Sequence, residues 1–224
     1  MSEAALERVP AGATIGLGSG RAAMAFVKAL GERVRAGLAV RGVPTSRATQ
    51  EAALLEGIPL TTPDEAGELA VTFDGADEVD PNLDMIKGWG AALVREKIVA
   101  AMSRELVILV GAEKLVTTLG ERGKLPVEVV PFGLTLVARR LDAMGIQGVV
   151  RTDGEALLVT DNGNHILDCA VPLLQQPAEL ERRLLDIPGV VGTGLFLGMA
   201  HTVLIQRDGE VEVRSRQAKS PGGR

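Results

Sequence analysis

At 224 residues and 46% hydrophobic, the chain can bury a sizeable core as one domain or two smaller ones. A net charge of −5, a pI near 5.2 and only 2% aromatics with no Tyr argue against phosphate-backbone binding and base stacking, so no nucleic-acid partner is expected. A single cysteine, Cys169, excludes an intrachain disulfide, and two histidines, His165 and His201, leave little to build a His/Cys metal cluster. The opening residues MSEAALERVPAGA form no basic-then-apolar leader and no apolar run approaches a membrane span, so the cytoplasm is the default compartment and no membrane partner is expected.

In chain order, Ala13 to Leu17 is a short apolar strand that stops at Gly18-Ser19-Gly20. Ala22 to Arg33 follows with helical spacing, Phe26, Val27 and Leu30 on one side. Strand, glycine turn and helix open a βαβ unit. Leu38 to Val43 reads as the next strand and ends at Pro44-Thr45-Ser46, where a hydroxyl can cap a helix over Arg47 to Glu56. Leu69 to Phe73 is a third strand with Asp74-Gly75-Ala76-Asp77 at its carboxyl end. A helix over Gly90 to Met102 and a strand of Val, Ile and Leu over Leu106 to Val110 complete the pattern. Such alternation predicts a parallel sheet covered by helices, with ligands bound beyond the carboxyl ends of its strands.

After about Pro126 the pattern changes to short strands, Val127–Val130, Val149–Arg151, Ala156–Thr160 and His165–Val171, with helices over Leu134–Met144 and Pro177–Leu185. Asp161-Asn162-Gly163-Asn164 is a hairpin signal. Val190–Ala200 and Val203–Gln206 are read as the return to the first domain, and the polar tail from Gln217 as frayed. The expected architecture is α/β: a Rossmann-like parallel sheet flanked by helices over 1–125 and 197–224. A smaller α+β domain, an antiparallel sheet with helices, is inserted over 126–196.

Chemistry concentrates between Phe73 and Lys97. Asp74 and Asp77 are open to three uses: metal ligands (with Glu78 and Asp80 in support), a proton-transfer pair, or turn and helix caps. Lys87 in Lys87-Gly88-Trp89-Gly90 can stabilise an oxyanion or be merely exposed, and Glu96 in Arg95-Glu96-Lys97 can be a solvated helix face. The turn Gly18-Ser19-Gly20-Arg21 can seat an anion on backbone N–H groups at a helix start, with the Arg21 guanidinium beside it, or be a tight strand-to-helix turn with a solvent-facing Arg. No third glycine falls in the dinucleotide register and no G-K-[ST] follows, so neither a nicotinamide cofactor nor a Walker A site is expected. His165, His201 and Cys169 are read as ordinary structural residues.

The joint run FDGADEVD…KGWGAALVREKI resembles the type A ribose-5-phosphate isomerase family, with its DGADE, KGxGxA and REK blocks. The likeness continues through GLGSG, VPTSRAT, LPVEVVPFG at 125–133 and DIPGVVGTGLFLGMA at 186–200. The resemblance implies interconversion of ribose 5-phosphate and ribulose 5-phosphate without metal or cofactor, by a homodimer or homotetramer. It implies Glu96 as base, Asp74 assisting ring opening, and Asp77 and Lys87 holding the sugar. Ser19, Gly20, Arg21, Ala22, Gly75, Ala76, Gly88, Trp89, Gly90 and Lys114 then bind substrate, with the backbone from Gly88 to Gly90 facing the developing oxyanion.

The chain departs from the family pattern in several places. Ser19-Gly20-Arg21-Ala22 replaces a turn with two hydroxyls, Glu3, Glu7 and Arg8 stand where an N-terminal helix usually carries Lys, and Gly111-Ala112-Glu113-Lys114 replaces a D-x-[ST]-K-like pattern. Trp89 replaces a glycine and is expected to crowd the oxyanion loop. Arg21 is expected to supply the missing phosphate charge. The competing reading is a sugar-phosphate sensor without turnover, which would have no need of Glu96.

Overall fold

The computed structural model describes residues 1–216; the polar tail from Gln217 lies outside the described residues. The first half runs α1 (Ser2–Leu6), β1 (Thr14–Leu17), α2 (Gly20–Arg35), β2 (Arg41–Pro44), α3 (Arg47–Leu55), α4 (Pro63–Ala66), β3 (Thr72–Asp74), β4 (Glu78–Val79), β5 (Met85–Ile86), α5 (Leu93–Ala101) and β6 (Leu106–Gly111). Next come β7 (Lys124–Val129), α6 (Leu134–Ala143), β8 (Gly148–Val150), β9 (Thr152–Asp153), β10 (Ala156–Leu157), β11 (His165–Ala170) and α7 (Pro177–Leu185). The chain closes with β12 (Val190–Thr193), β13 (Leu195–Phe196), β14 (Thr202–Arg207) and β15 (Glu210–Ser215).

Six strands form the main sheet in the order β15-β14-β6-β3-β1-β2, parallel except for the edge strand β15. The run LVILV in β6 is continuous because both of its faces are buried. Val107 and Leu109 pack with Phe26, Val27 and Leu30 of α2, while Leu106, Ile108 and Val110 join Leu93 and Ala100 of α5. Phe26 also meets Phe73 at 4.3 Å between ring centroids, which ties α2 to β3. Ser46 caps α3 as its sequence suggests, accepting from the Thr49 N–H.

Chain order reverses between β1 and β3: β1 leads outward to β2, and the chain then returns to β3 on the other side. Ligand sites of parallel sheets sit at such switch points. Leu17 pairs with Phe73, so the turn after β1 and Asp74 are held side by side. A Cβ on Gly18 would fall 2.3 Å from Asp74 Oδ1, which is why a glycine stands there.

A second sheet, β12-β7-β11-β8, is antiparallel and shares a core of Leu125, Val127, Val137, Leu141, Leu167, Cys169 and Leu184 with α6 and α7. A third, β13-β5-β4, has strands of only two residues, too short to show any periodicity in the sequence.

Four expectations need correction. The helix expected over Gly90–Met102 starts at Leu93, because Gly88 (φ +99°) and Ala91 (φ +64°) turn the backbone out of helical space first. Residues 156–160 do not pair with β11: only β10 forms, against β9, although the Asp161–Asn164 turn closes through Thr160 N–H to Asn164 O. Val190–Ala200 is not all return to the first domain, since β12 stays in the second sheet on β7, and β13 pairs with β5. The strand β15 lies beyond the expected end at Gln206, on a hairpin with Asp208 at φ +47° and Gly209 at φ +89°.

Candidate active site

Three ionisable side chains expected to act together meet at the switch point. Lys87, 2% exposed, places Nζ 3.1 Å from Asp74 Oδ2 and 3.3 Å from Glu96 Oε2. Asp74 is fully buried, and its Oδ1 accepts from the N–H groups of Ser19 (2.9 Å) and Gly75 (2.8 Å). Lys87 is delivered by β5, its N–H donating to Gly194 O at 2.8 Å; Nζ donates to Gly75 O and stands 5.3 Å from the Phe196 ring centroid. Glu96 lies in the first turn of α5 and is 5% exposed, so its triplet is no solvated face. Its neighbours are engaged too: Arg95 donates to Asn162 Oδ1 and Asp161 O, and Lys97 to Glu181 and Leu195 O.

Burial pushes the Glu96 carboxyl up to about 8, and the Asp74 charge adds to that rise, against the opposing pull of Lys87. For Lys87, burial alone would lower the pKa; the attraction of Asp74 and Glu96 outweighs it and holds the ammonium above its ordinary value. Apart from their ion pairs with Lys87, Asp74 Oδ2 and Glu96 Oε2 make no hydrogen bond and are shut off from solvent. The cluster is a base with a proton affinity near neutrality beside a permanent cation.

A cavity of about 550 Å³ opens over it, within the usual range for small-molecule sites. Ser19, Gly20, Arg21, Ala22, Gly75, Ala76, Asp77, Lys87, Gly88, Gly90, Glu96 and Lys114 all line it. Of the residues expected at the site, only Asp74 and Trp89 stand outside the wall. Asp74 lies beneath Lys87. The Trp89 ring is instead flanked by the ammonium groups of Lys114 and Lys124, at 5.5 and 5.3 Å, and the backbone N–H of Trp89 donates to Asp77 Oδ2 at 3.0 Å. Lys114 also approaches Asp77 Oδ1, at 3.8 Å. Glu78 and Asp80 are committed elsewhere: Glu78 accepts from the N–H groups of Gly120 and Arg122, and Asp80 from those of Asn82 and Asp84.

The mouth of the cavity is shaped by the first turn. The Ser19 hydroxyl belongs to a cluster with Thr45 (2.8 Å), Ser46 (2.9 Å) and Thr49 (3.2 Å), so PTSR and GSGR are one structure. The Arg21 guanidinium is almost fully exposed, 3.7 Å from Glu113. Three residues missed in the sequence brace the loop over Lys87 from the second sheet: Arg151, Asp168 and Lys124. Their only sequence signal is charged side chains in or beside otherwise apolar strands.

Sheet and cluster together place the chain among α/β enzymes that move protons on small ligands. Comparison with known proteins narrows that class. The family model described as ribose 5-phosphate isomerase A (phosphoriboisomerase A) matches residues 41–210. A ribose-5-phosphate isomerase A of Gloeobacter violaceus is 48% identical over 215 residues, 96% of this chain and 94% of that protein. One from Roseiflexus sp. is 48% identical over 97% of this chain and 95% of its own length. Among solved structures, ribose 5-phosphate isomerase A of Methanocaldococcus jannaschii superposes with a TM-score of 0.91 at 39% identity, covering 96% of both chains. A D-ribose-5-phosphate isomerase in complex with phospho-erythronic acid does so at 0.92 and 35% identity, again over 96% of both. The chain belongs to the ribose 5-phosphate isomerase A family.

Proposed function

We propose that the protein is an aldose–ketose isomerase that interconverts D-ribose 5-phosphate and D-ribulose 5-phosphate, the step of the non-oxidative pentose phosphate pathway its family carries out. The observation that carries the reading is Glu96: a nearly buried carboxylate on the cavity wall, its pKa raised to about 8, 3.3 Å from a buried ammonium. In the open-chain aldose, the Glu96 carboxylate takes the C2 proton and returns it to C1, while the O2 proton passes to O1. The enediolate between these steps carries negative charge on oxygen. Lys87 and the N–H groups of Gly88 and Gly90 are the donors that meet it, the Trp89 N–H being held by Asp77.

Asp77 and Lys114, both on the cavity wall, hold the sugar hydroxyls. Ring opening needs a carboxylate in reach of those hydroxyls, and Asp77 is better placed for it than Asp74. Asp74, buried on two backbone N–H groups, acts through Lys87 and Glu96. The phosphate is assigned to the Ser19–Ala22 turn and Arg21. Arg21→Ala is then expected to raise KM for ribose 5-phosphate about tenfold, roughly 1.4 kcal/mol, with kcat nearly unchanged. An unaltered KM would remove Arg21 from the phosphate site.

The proposal extends to a cytoplasmic homodimer or homotetramer. Exposed Val130, Phe132, Leu136 and Val191, near one end of the second sheet, support self-association, and light scattering measures it. Among the described residues, no helix is long and apolar enough to cross a membrane. The test of function is ribulose 5-phosphate formation from ribose 5-phosphate in EDTA. Steady turnover supports the isomerase, and saturable binding without turnover would make the chain a sugar-phosphate sensor instead.

A further inference from the structure

The carbonyls of the Lys87–Gly90 loop are held from outside the site by one side chain. Arg151, directly after β8, donates from Nη1 to both Gly88 O and Trp89 O, each at 3.0 Å. Its other nitrogens fork onto Asp168 of β11, Nε to Oδ2 at 3.0 Å and Nη2 to Oδ1. Lys124 of β7 reaches the same carboxylate at 3.1 Å and stands against the Trp89 ring. Burial would raise the Asp168 pKa, but Arg151 and Lys124 outweigh it and hold that carboxyl below its usual range, so the fork stays ionised.

The consequence for the loop follows from peptide planarity. With the Trp89 carbonyl fixed on Arg151, the Gly90 N–H in the same peptide plane points the opposite way. Gly90 lies on the cavity wall, and its N–H meets no backbone acceptor among the described residues. Gly88 at φ +99° and Ala91 at φ +64° leave the loop in a backbone conformation that needs external support. We infer that Arg151 is a positioning residue for the isomerisation: it clamps the carbonyls of Gly88 and Trp89 so that the Gly90 N–H is preset towards the enediolate oxygen. This rests on the isomerase reading above. It makes the second sheet a working part of the site and not only a neighbour.

The test compares wild type, Arg151→Gly and Arg151→Lys by steady-state kinetics on ribose 5-phosphate, with and without guanidinium chloride at about 50 mM, well below denaturing concentration. Wild-type turnover checks the isomerase reading separately, before any variant is judged. The expected result for Arg151→Gly is a kcat loss of about 10²-fold with KM changed less than about threefold, partly restored by guanidinium, as loss of a transition-state donor requires. Arg151→Lys, which keeps the charge beside Asp168 but not the planar fork, is expected to fold as wild type and to lose about tenfold in kcat, without rescue. A folded Arg151→Gly enzyme with wild-type kcat, or with a loss that guanidinium leaves untouched, would overturn the inference. If Arg151→Gly does not fold, Arg151→Lys decides: wild-type kcat there overturns it equally, and the kcat loss at steady KM supports it.

Discussion

Glu96→Gln is expected to lower kcat for ribose 5-phosphate isomerisation by about 10²–10⁴-fold, the range spanned by a lost general base. The amide keeps the shape of the side chain and cannot take a proton, so near-native folding should accompany the loss. On the proposed mechanism only the ionised carboxylate works in the wild type. With its pKa pushed up to about 8, kcat/KM is expected to climb with pH and level off above that value. Because Glu96 shares its field with Asp74 and Lys87, the midpoint belongs to the cluster and not to one side chain. A kcat/KM profile flat between about pH 6 and pH 9 would remove Glu96 as the base.

The same shift has a sign for stability. The folded-state pKa of Glu96 is raised, so the folded chain binds the extra proton through the window from the ordinary carboxyl range up to about 8. Its favourable contribution is complete below that window and is lost as pH rises through it. The Tm of Glu96→Gln relative to wild type should therefore increase with pH, and calorimetry at two pH values measures it. On the proposed mechanism, the costly burial of this carboxylate gives up stability for a base that works near neutrality.

How far the sequence revealed this arrangement differs between its halves. Long apolar runs and glycine turns made the main sheet legible, because a strand buried on both faces has no polar residue to confuse it; Leu106–Val110 is the clearest case. Asp74 and Lys87 could be singled out because each precedes a glycine within one short stretch, whereas Glu96, between Arg95 and Lys97, stood out only through the family resemblance. Their union needs β5, two residues long, and β13, about a hundred residues further on; neither has a periodic signature. Asp208-Gly209 was a legible hairpin signal for β15, masked by the short exposed alternation after it. Arg151 and Asp168 were illegible for another reason. Charges on a small sheet read as solvent-facing until that sheet is docked against the loop they hold.

Lys87→Met separates the two things the ammonium does. Methionine roughly fills the volume without the charge, so a packing defect is minimised. Loss of the oxyanion donor alone is expected to lower kcat by about 10²–10³-fold. Electrostatics then add a second effect. Lys87 pulls the Glu96 pKa down against burial and Asp74, so removing it must drive that pKa further up. The rising limb of the pH profile is therefore expected to move above its wild-type position, leaving less of the base ionised at neutral pH. Stability should follow the same direction. At low pH the Glu96 carboxyl is neutral and only Asp74 is left without its cation, whereas at alkaline pH two carboxylates share a closed site without one, so the loss grows with pH towards about 3–5 kcal/mol. A kcat loss with the pH midpoint unmoved would mean that Lys87 meets the substrate but does not tune the base. A moved midpoint with kcat recovered at high pH would mean the reverse. Both effects in one variant are what an ammonium 3.1 Å from Asp74 and 3.3 Å from Glu96 demands.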